Sequence, residues 1–559
     1  MKNKHKPLGV NDPLRHADHS RPSTRRDFIK QGFISGPAAV LTGGVFGLFN
    51  NPREAYAAVA ADLDQLAKDI PNSACKVGDA AAGSAKIPFI CFDLAGGANF
   101  AGSNVLVGTD GQLNELTTAG YSKMGLPGDI IPGLSDINAA PMLNLSTNSD
   151  FTNNQLGLKF HSDSALLFGI LERFTSVASG LVDGAVIPAR SGNDTSNNTH
   201  NPLYGIAKAG AVGSAVTLIG SRNSESGGNS MAPPGLINPE IRPTKVDRPS
   251  DVTGMIDVGD LTNILNTKED VVAVMESMAR ISHKKLNATI TQNDVVRDLV
   301  KCGYIKAADI AERFADQVVD PAADPHIVDD VNNTEIRGIF SPEEFNNNNR
   351  DGGEFRKTAA VMKMVIEGYS GAGSITMGGY DYHTGDRQAG ENRDLRAGRC
   401  IGACLEYAAK KNSQLMIYVF SDGSVASNGT ADNTGNQTDG NGNITSLGGR
   451  GKGVWTGDNS STACSFFLVF DPNGTIDIFD GNTMTDHRQI GKFSPSGSVV
   501  TSDTPAANNV NLLVNTVIAN YMSLNGNLDP SADQPDFASS FTNHGLGDFR
   551  KYVSFNPIR

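Results

Sequence analysis

Two stretches constrain this chain most, Met377–Arg387 and Gln414–Gly423. In the first, a Gly-rich apolar run ends in Gly378, Gly379, Tyr380, Asp381, Tyr382 and His383, so a carboxylate and an imidazole stand two residues apart. On an extended chain such residues face the same side, and the two donors together suit a divalent cation. In the second, the apolar run Leu415–Phe420 ends in Ser421 and Asp422. The segment between them is long enough for the helical crossover that parallel strands require. The order strand, Asp-x-His, helix, strand, Asp predicts an open parallel sheet with both acids at its carboxyl edge, where such sheets bind ligands. Closure of Gly-rich turns is the other role that the same Asp and His can fill.

Composition narrows the classes. The chain has 559 residues, 39% of them hydrophobic, enough for one large core or two domains. Charged residues are only 19% and glycines number 61, which implies a loop-rich surface with few ion pairs. A formal charge of −13 and a pI near 5.3 exclude the basic face that nucleic acid needs. No unbroken apolar run reaches the length of about eighteen residues that a membrane span requires, so the mature chain is expected to have no stable span.

The N-terminus reads as an address. Ser23–Lys30 (Ser-Thr-Arg-Arg-Asp-Phe-Ile-Lys) resembles the bacterial twin-arginine export motif. A Gly-rich apolar stretch follows, from Gly32 to Leu48, and then the small-residue site Ala55, Tyr56, Ala57, with cleavage expected before Ala58. The leader carries nine Lys/Arg and four Asp/Glu, a charge of +5, so the mature chain is at −13 − 5 = −18. The resemblance implies export of an already folded protein to the periplasm or beyond. All six cysteines (Cys75, Cys91, Cys302, Cys400, Cys404 and Cys464) lie past the cleavage site. No Cys-x-x-Cys pair is present, which excludes a zinc ribbon. Cys400 and Cys404 share a helix face, and an oxidising compartment would let some of the six pair without the spacing saying which.

Taken in order, Ile87–Leu94 reads as the first core strand, with Asp93 near its end and Gly96 and Gly97 in the turn beyond. Leu166–Ala178 has helical spacing and Gly184–Pro188 is a short strand. A polar loop leads to an apolar pattern, Leu203–Val212, with Pro202 in its first turn and Asn201 or Thr199 as its cap. A hydroxyl at such a helix end can serve as a nucleophile. A mainly helical insertion is expected at about 250–355 within a single domain, 58–559, that follows a leader at 1–57. Asn428–Asn443 reads as a long polar loop, Cys464–Phe470 as a strand, 471–481 as a turn and strand, and Val510–Leu524 as an amphipathic helix.

These pieces resemble an exported bacterial family known as domain of unknown function 1501, of the alkaline phosphatase and sulfatase superfamily. The resemblance rests on Gly96–Asn104, on Asn198, Thr199, His200 and Asn201, on Gly378–His383, on Phe420, Ser421, Asp422 and Gly423, and on Thr456–Asn459. It implies an α/β fold, an alkaline-phosphatase-like three-layer sandwich with a mostly parallel central sheet and helical, loop-rich insertions. It also implies a divalent metal (zinc, calcium, magnesium or manganese) acting on an anionic phosphate or sulfate ester. The implied metal set is Asp93, Asp381, His383, Asp422 and Asp458. Thr199 is the expected nucleophile, with Ser196 and Thr195 as near alternatives, and His200 is the expected substrate contact. No further cofactor is implied. The chain departs from the family at Asn99, where an acid is usual, at Asn459, where a histidine is usual, and in lacking the arginine of the fourth motif. A second expectation is therefore an inactive exported protein that keeps the fold and binds a protein partner. Acidic loops that hold calcium structurally would be a third.

Protein recovered after export is expected to begin at Ala58, and replacing both Arg25 and Arg26 by Lys should retain the chain in the cytoplasm. Mass spectrometry of the exported protein checks this; a mature chain that keeps the first 57 residues contradicts it.

Overall fold

The computed structural model describes residues 55–56, 60–70, 77–78 and 86–559, apart from 113, 137–141, 193–197, 257–264, 266, 287–293, 315–316, 331–334, 475, 480–483 and 529–543. The twin-arginine stretch, Ala57 and Ala58 at the expected cleavage point, Cys75, Thr195 and Ser196 lie outside the described residues.

Period-two alternation of large apolar side chains builds the centre. Strands β1 (Phe89–Ala95), β2 (Val182–Pro188), β3 (Val216–Gly220), β4 (Thr244–Lys245), β5 (Ser370–Gly378), β6 (Leu415–Phe420) and β9 (Cys464–Phe470) form one sheet in the order β2-β9-β6-β1-β5-β3-β4. Strand β9 runs antiparallel to both its neighbours and every other pairing is parallel. Ile90, Phe92, Leu94, Ile417, Val419, Phe466 and Leu468 face one core, and Phe89, Cys91, Met416, Tyr418, Phe420 and Phe467 face the other. A strand buried on both faces needs apolar residues at every position, which is why β1 and β6 read as continuous apolar runs.

Helices cover each face. On the first lie α1 (Ala165–Arg173), α5 (Arg350–Ile366) and α6 (Gln388–Lys410), and on the second α2 (Leu203–Lys208) and α7 (Val510–Leu524). The result is a three-layer α/β architecture with a mostly parallel central sheet. Between β4 and β5 run two long helices, α3 (Lys268–Leu286) and α4 (Asp294–Phe314). Cys302 in α4 is disulfide-bonded, whereas Cys91, Cys400, Cys404 and Cys464 are free and buried.

Local chemistry sets the element ends, and it departs from the sequence pattern in four places. Helix α1 ends at Arg173, short of Ala178, and Ser164 caps its start by accepting from the Leu167 N–H. Helix α2 ends at Lys208, short of Val212; Asn201 accepts from the Leu203 N–H, and Thr199 takes no part in the cap. In the segment 471–481 the described residues form no strand, and Ile478 makes only an isolated bridge to Phe555. The polar stretch after Asp422 is not a free loop. It begins in β7 (Val425–Asp432), which pairs antiparallel with β8 (Lys452–Asp458), and Gln437–Thr438 pairs with Ile444–Ser446 beyond. These strands are exposed on at least one side and lack apolar alternation, so the pattern carried no strand signal.

Candidate metal centre

The carboxyl edge of the sheet is organised by the turn after β1. Strands β5 and β6 flank β1 on opposite sides, so the loops that follow all three meet above that edge. The Ser421 hydroxyl donates to the Leu94 carbonyl at 2.6 Å and accepts from the N–H groups of Gly97 and Ala98 at 3.1 and 2.8 Å. Asp422 accepts from the Gly96 N–H at 2.8 Å. Gly96 has φ +125°, and a Cβ there would lie 2.3 Å from the main-chain nitrogen of Asp381. Only glycine lets the turn and the Asp381 loop approach this closely.

The five residues expected to share one metal shell divide into two groups. Asp381, His383 and Asp458 converge at the rim. The His383 Nε2 lies 2.7 Å from an Asp381 oxygen and 3.3 Å from an Asp458 oxygen, and one donor atom from each residue lies within 4.8 Å of the others. All three side chains are substantially exposed. Asp381 and His383 come from the loop after β5, and Asp458 from the end of β8. Metal–ligand bonds of about 2.0–2.2 Å let a single ion reach donors with this spacing. Two carboxylates and one imidazole suit zinc or manganese and leave coordination positions open.

Asp93 and Asp422 form the second group, and both are wholly buried. Asp93 accepts from the N–H groups of Asn229 and Ser230 at 2.7 and 2.8 Å and from the Ser230 hydroxyl at 3.3 Å. The Asn229 amide donates to Asp422 at 3.1 Å, so one residue ties both carboxylates. Burial pushes Asp93 up to about 6 against the hydrogen bond from Ser230, and the Asp422 charge adds to the rise.

The proposed nucleophile region is placed differently again. The Thr199 hydroxyl donates to Asn511 at the start of α7. His200 is buried, stacks on Phe420 with ring centroids 5.7 Å apart and bonds the Ser191 hydroxyl at 2.8 Å. Ser191 itself donates to the Asp422 carbonyl at 2.8 Å, so the imidazole donates to Ser191 through Nε2 and its Nδ1 is left without a partner among the described residues. Burial drives His200 down to about 3. Asn99 and Asn459 are built into the scaffold. The Asn99 amide donates to the Val425 carbonyl at 2.5 Å, and Asn459 accepts from the N–H groups of Ser461 and Thr462 as a cap.

Below the rim lies a buried ionic network that the sequence did not reveal. Glu391 receives Lys452 at 2.5 Å, Arg450 at 2.6 Å and Arg387 at 2.8 Å. Burial would raise Glu391, but Lys452, Arg387 and Arg450 together outweigh it and hold its carboxyl well below the usual range. Arg387 stacks over Trp455 at 4.1 Å from the ring centroid. Beside them Asp394 accepts from Asn104 at 2.8 Å and from the Tyr382 hydroxyl at 3.4 Å, and Tyr382 accepts from the Asn99 N–H at 2.9 Å. Asn229 and Ser230 were also missed; their only signal was their place in a Gly/Ser-rich turn after a strand, whereas Ser421 stood out only as part of the Phe420–Gly423 motif.

No family model and no curated protein matches this chain. Two solved structures are similar to it, both TAB5 alkaline phosphatase mutants with Mg bound in the M3 site, at 10% and 11% identity and TM-scores of 0.22 and 0.21. Each comparison covers 70% of this chain and 92% of the phosphatase chain. Scores that low do not establish a common fold, and the family resemblance rests on the motifs alone.

Asp394 gives the site a pH signature. Burial pushes it up to about 7, whereas the unfolded residue ionises near 3.8. The native state therefore keeps a proton that the unfolded chain has released, so this contribution to stability is full below about pH 4 and is lost as pH rises through about 7. Asp394→Asn removes the titration. The melting temperature of the variant, relative to the parent, should rise by a few degrees between about pH 5 and pH 8; a pH-independent difference in thermal unfolding contradicts this.

Proposed function

We propose that this chain is an exported, alkaline-phosphatase-like protein that hydrolyses phosphate or sulfate esters with a divalent cation held by Asp381, His383 and Asp458. The observation that carries this reading is the convergence of those three donors, from two separate segments, at the carboxyl edge of a mostly parallel sheet. A cation bound there would polarise the ester oxygen and offset the charge that develops on it. Asp93 and Asp422 have a supporting part: they fix the Gly96 turn, which abuts the Asp381 loop, and the 229–230 loop. His200 reaches the Asp422 carbonyl through Ser191, and Asn198 reaches it directly, whereas the Thr199 hydroxyl donates to Asn511. The twin-arginine motif supports export, and a disulfide at Cys302 fits an oxidising compartment.

A second reading is favoured by Asn99 and Asn459. Both stand at family ligand positions and both are committed to holding the scaffold. An exported binding or assembly protein would retain the architecture in this form without turning over an ester.

Elemental analysis separates the two. The mature protein, purified without chelator, is expected to carry about one equivalent of a divalent metal, and the Asp381→Ala/His383→Ala double variant should lose it. Ester hydrolysis by the parent, abolished in the variant, completes the test; a parent free of metal sinks the hydrolase reading.

A further inference from the structure

Two arginines at the carboxyl edge have no acidic partner. Arg222 follows β3 and Arg350 opens α5, and neither makes an ion pair among the described residues. The acids next to Arg350 are already engaged, Asp351 with Arg396 and Glu354 with Lys357 at 2.6 Å. Arg350 is instead anchored on main chain, donating to the Gly378 carbonyl.

Both guanidinium groups border Gly378. A Cβ placed on it would have Arg222 Nη2 at 3.8 Å and Arg350 Nη2 at 4.0 Å, with nothing else within 4 Å among the described residues. The space above this strand end is thus open and bordered by two guanidinium nitrogens. The next residue keeps it open: Gly379 has φ +90°, and a Cβ there would lie 2.5 Å from Arg350 Nη2. Both arginines are exposed, and two like charges bordering one open point repel each other through a screening solvent. An anion between them removes that cost and accepts charge-assisted hydrogen bonds of about 2.7–2.9 Å from each.

We propose that Arg222 and Arg350, across Gly378, form a binding site for a tetrahedral oxyanion, the phosphate or sulfate group of a ligand drawn to the edge of the sheet. The hydrolase reading supplies the identity of the ligand, whereas anion binding itself stands on the arginines. Arg222 and Asn229 lie on one loop, so the segment that ties Asp93 to Asp422 also carries one half of the anion site. Gly378 lies three residues before Asp381, which puts the anion site on the strand that leads into the metal centre.

The test is calorimetric titration of the mature, chelator-treated protein with inorganic phosphate, sulfate and acetate. The parent should bind phosphate or sulfate in preference to acetate. Arg222→Ala/Arg350→Ala should weaken that binding at least about tenfold, and so should Gly378→Val, which fills the open point, with the melting temperature of each variant checked alongside. Asp381→Ala/His383→Ala should bind the anion as the parent does. Binding that survives in the arginine double variant overturns the proposal, as does a parent that binds neither anion at about 10 mM. Binding lost in Asp381→Ala/His383→Ala but kept in the arginine variant assigns the anion to the metal centre and also overturns it. Binding that depends on the arginines in a protein that never holds metal upholds the site while the hydrolase reading fails.

Discussion

The clamp between the end of β6 and the turn after β1 is the contact on which the edge depends. Ser421 and Asp422 together accept three main-chain N–H groups, those of Gly96, Gly97 and Ala98, and Ser421 returns a hydrogen bond to Leu94. These polar groups are buried, and left unpaired each would cost about 1–3 kcal/mol. The clamp therefore fixes the turn, and the turn fixes the Asp381 loop, because Gly96 and the Asp381 nitrogen are in direct van der Waals opposition. A carboxylate at position 422 serves first as a structural acceptor and only through that as part of a site.

The second constraint is the ionic network around Glu391. It ties α6 through Arg387 and Glu391 to β8 through Lys452, and Asp163 joins through Arg450. The network adds to the anchorage that Val425 and Trp455 give the β7–β8 pair, both of them buried in the core, while the rest of the pair is largely polar and exposed. Breaking one member of such a buried set costs about 3–5 kcal/mol, because the partner charge is left uncompensated. Position 458 thus faces His383 because a buried network beneath sets the hairpin that carries it.

The parts of the fold that were legible in the sequence were those whose burial imposes a pattern. Strands β1, β6 and β9 are apolar at nearly every position, and α7 has the bounds that its periodicity indicated. The Asp-x-His motif stood out because glycines and aromatic residues frame it. The β7–β8 pair did not, since only isolated residues such as Val425 and Trp455 reach the core and no apolar alternation marks its strands. Nor could spacing foresee that Asp93 would be closed off by Asn229 and Ser230, residues more than a hundred positions away that meet it only through the sheet order.

The central claim is that Asp381, His383 and Asp458 act as one ligand set. X-ray absorption spectroscopy of the zinc- or manganese-loaded mature protein addresses it directly. The account predicts a shell of oxygen donors with one imidazole, at about 2.0–2.2 Å, and loss of the imidazole signature on His383→Ala. A shell without imidazole, or one that His383→Ala leaves unchanged, contradicts it.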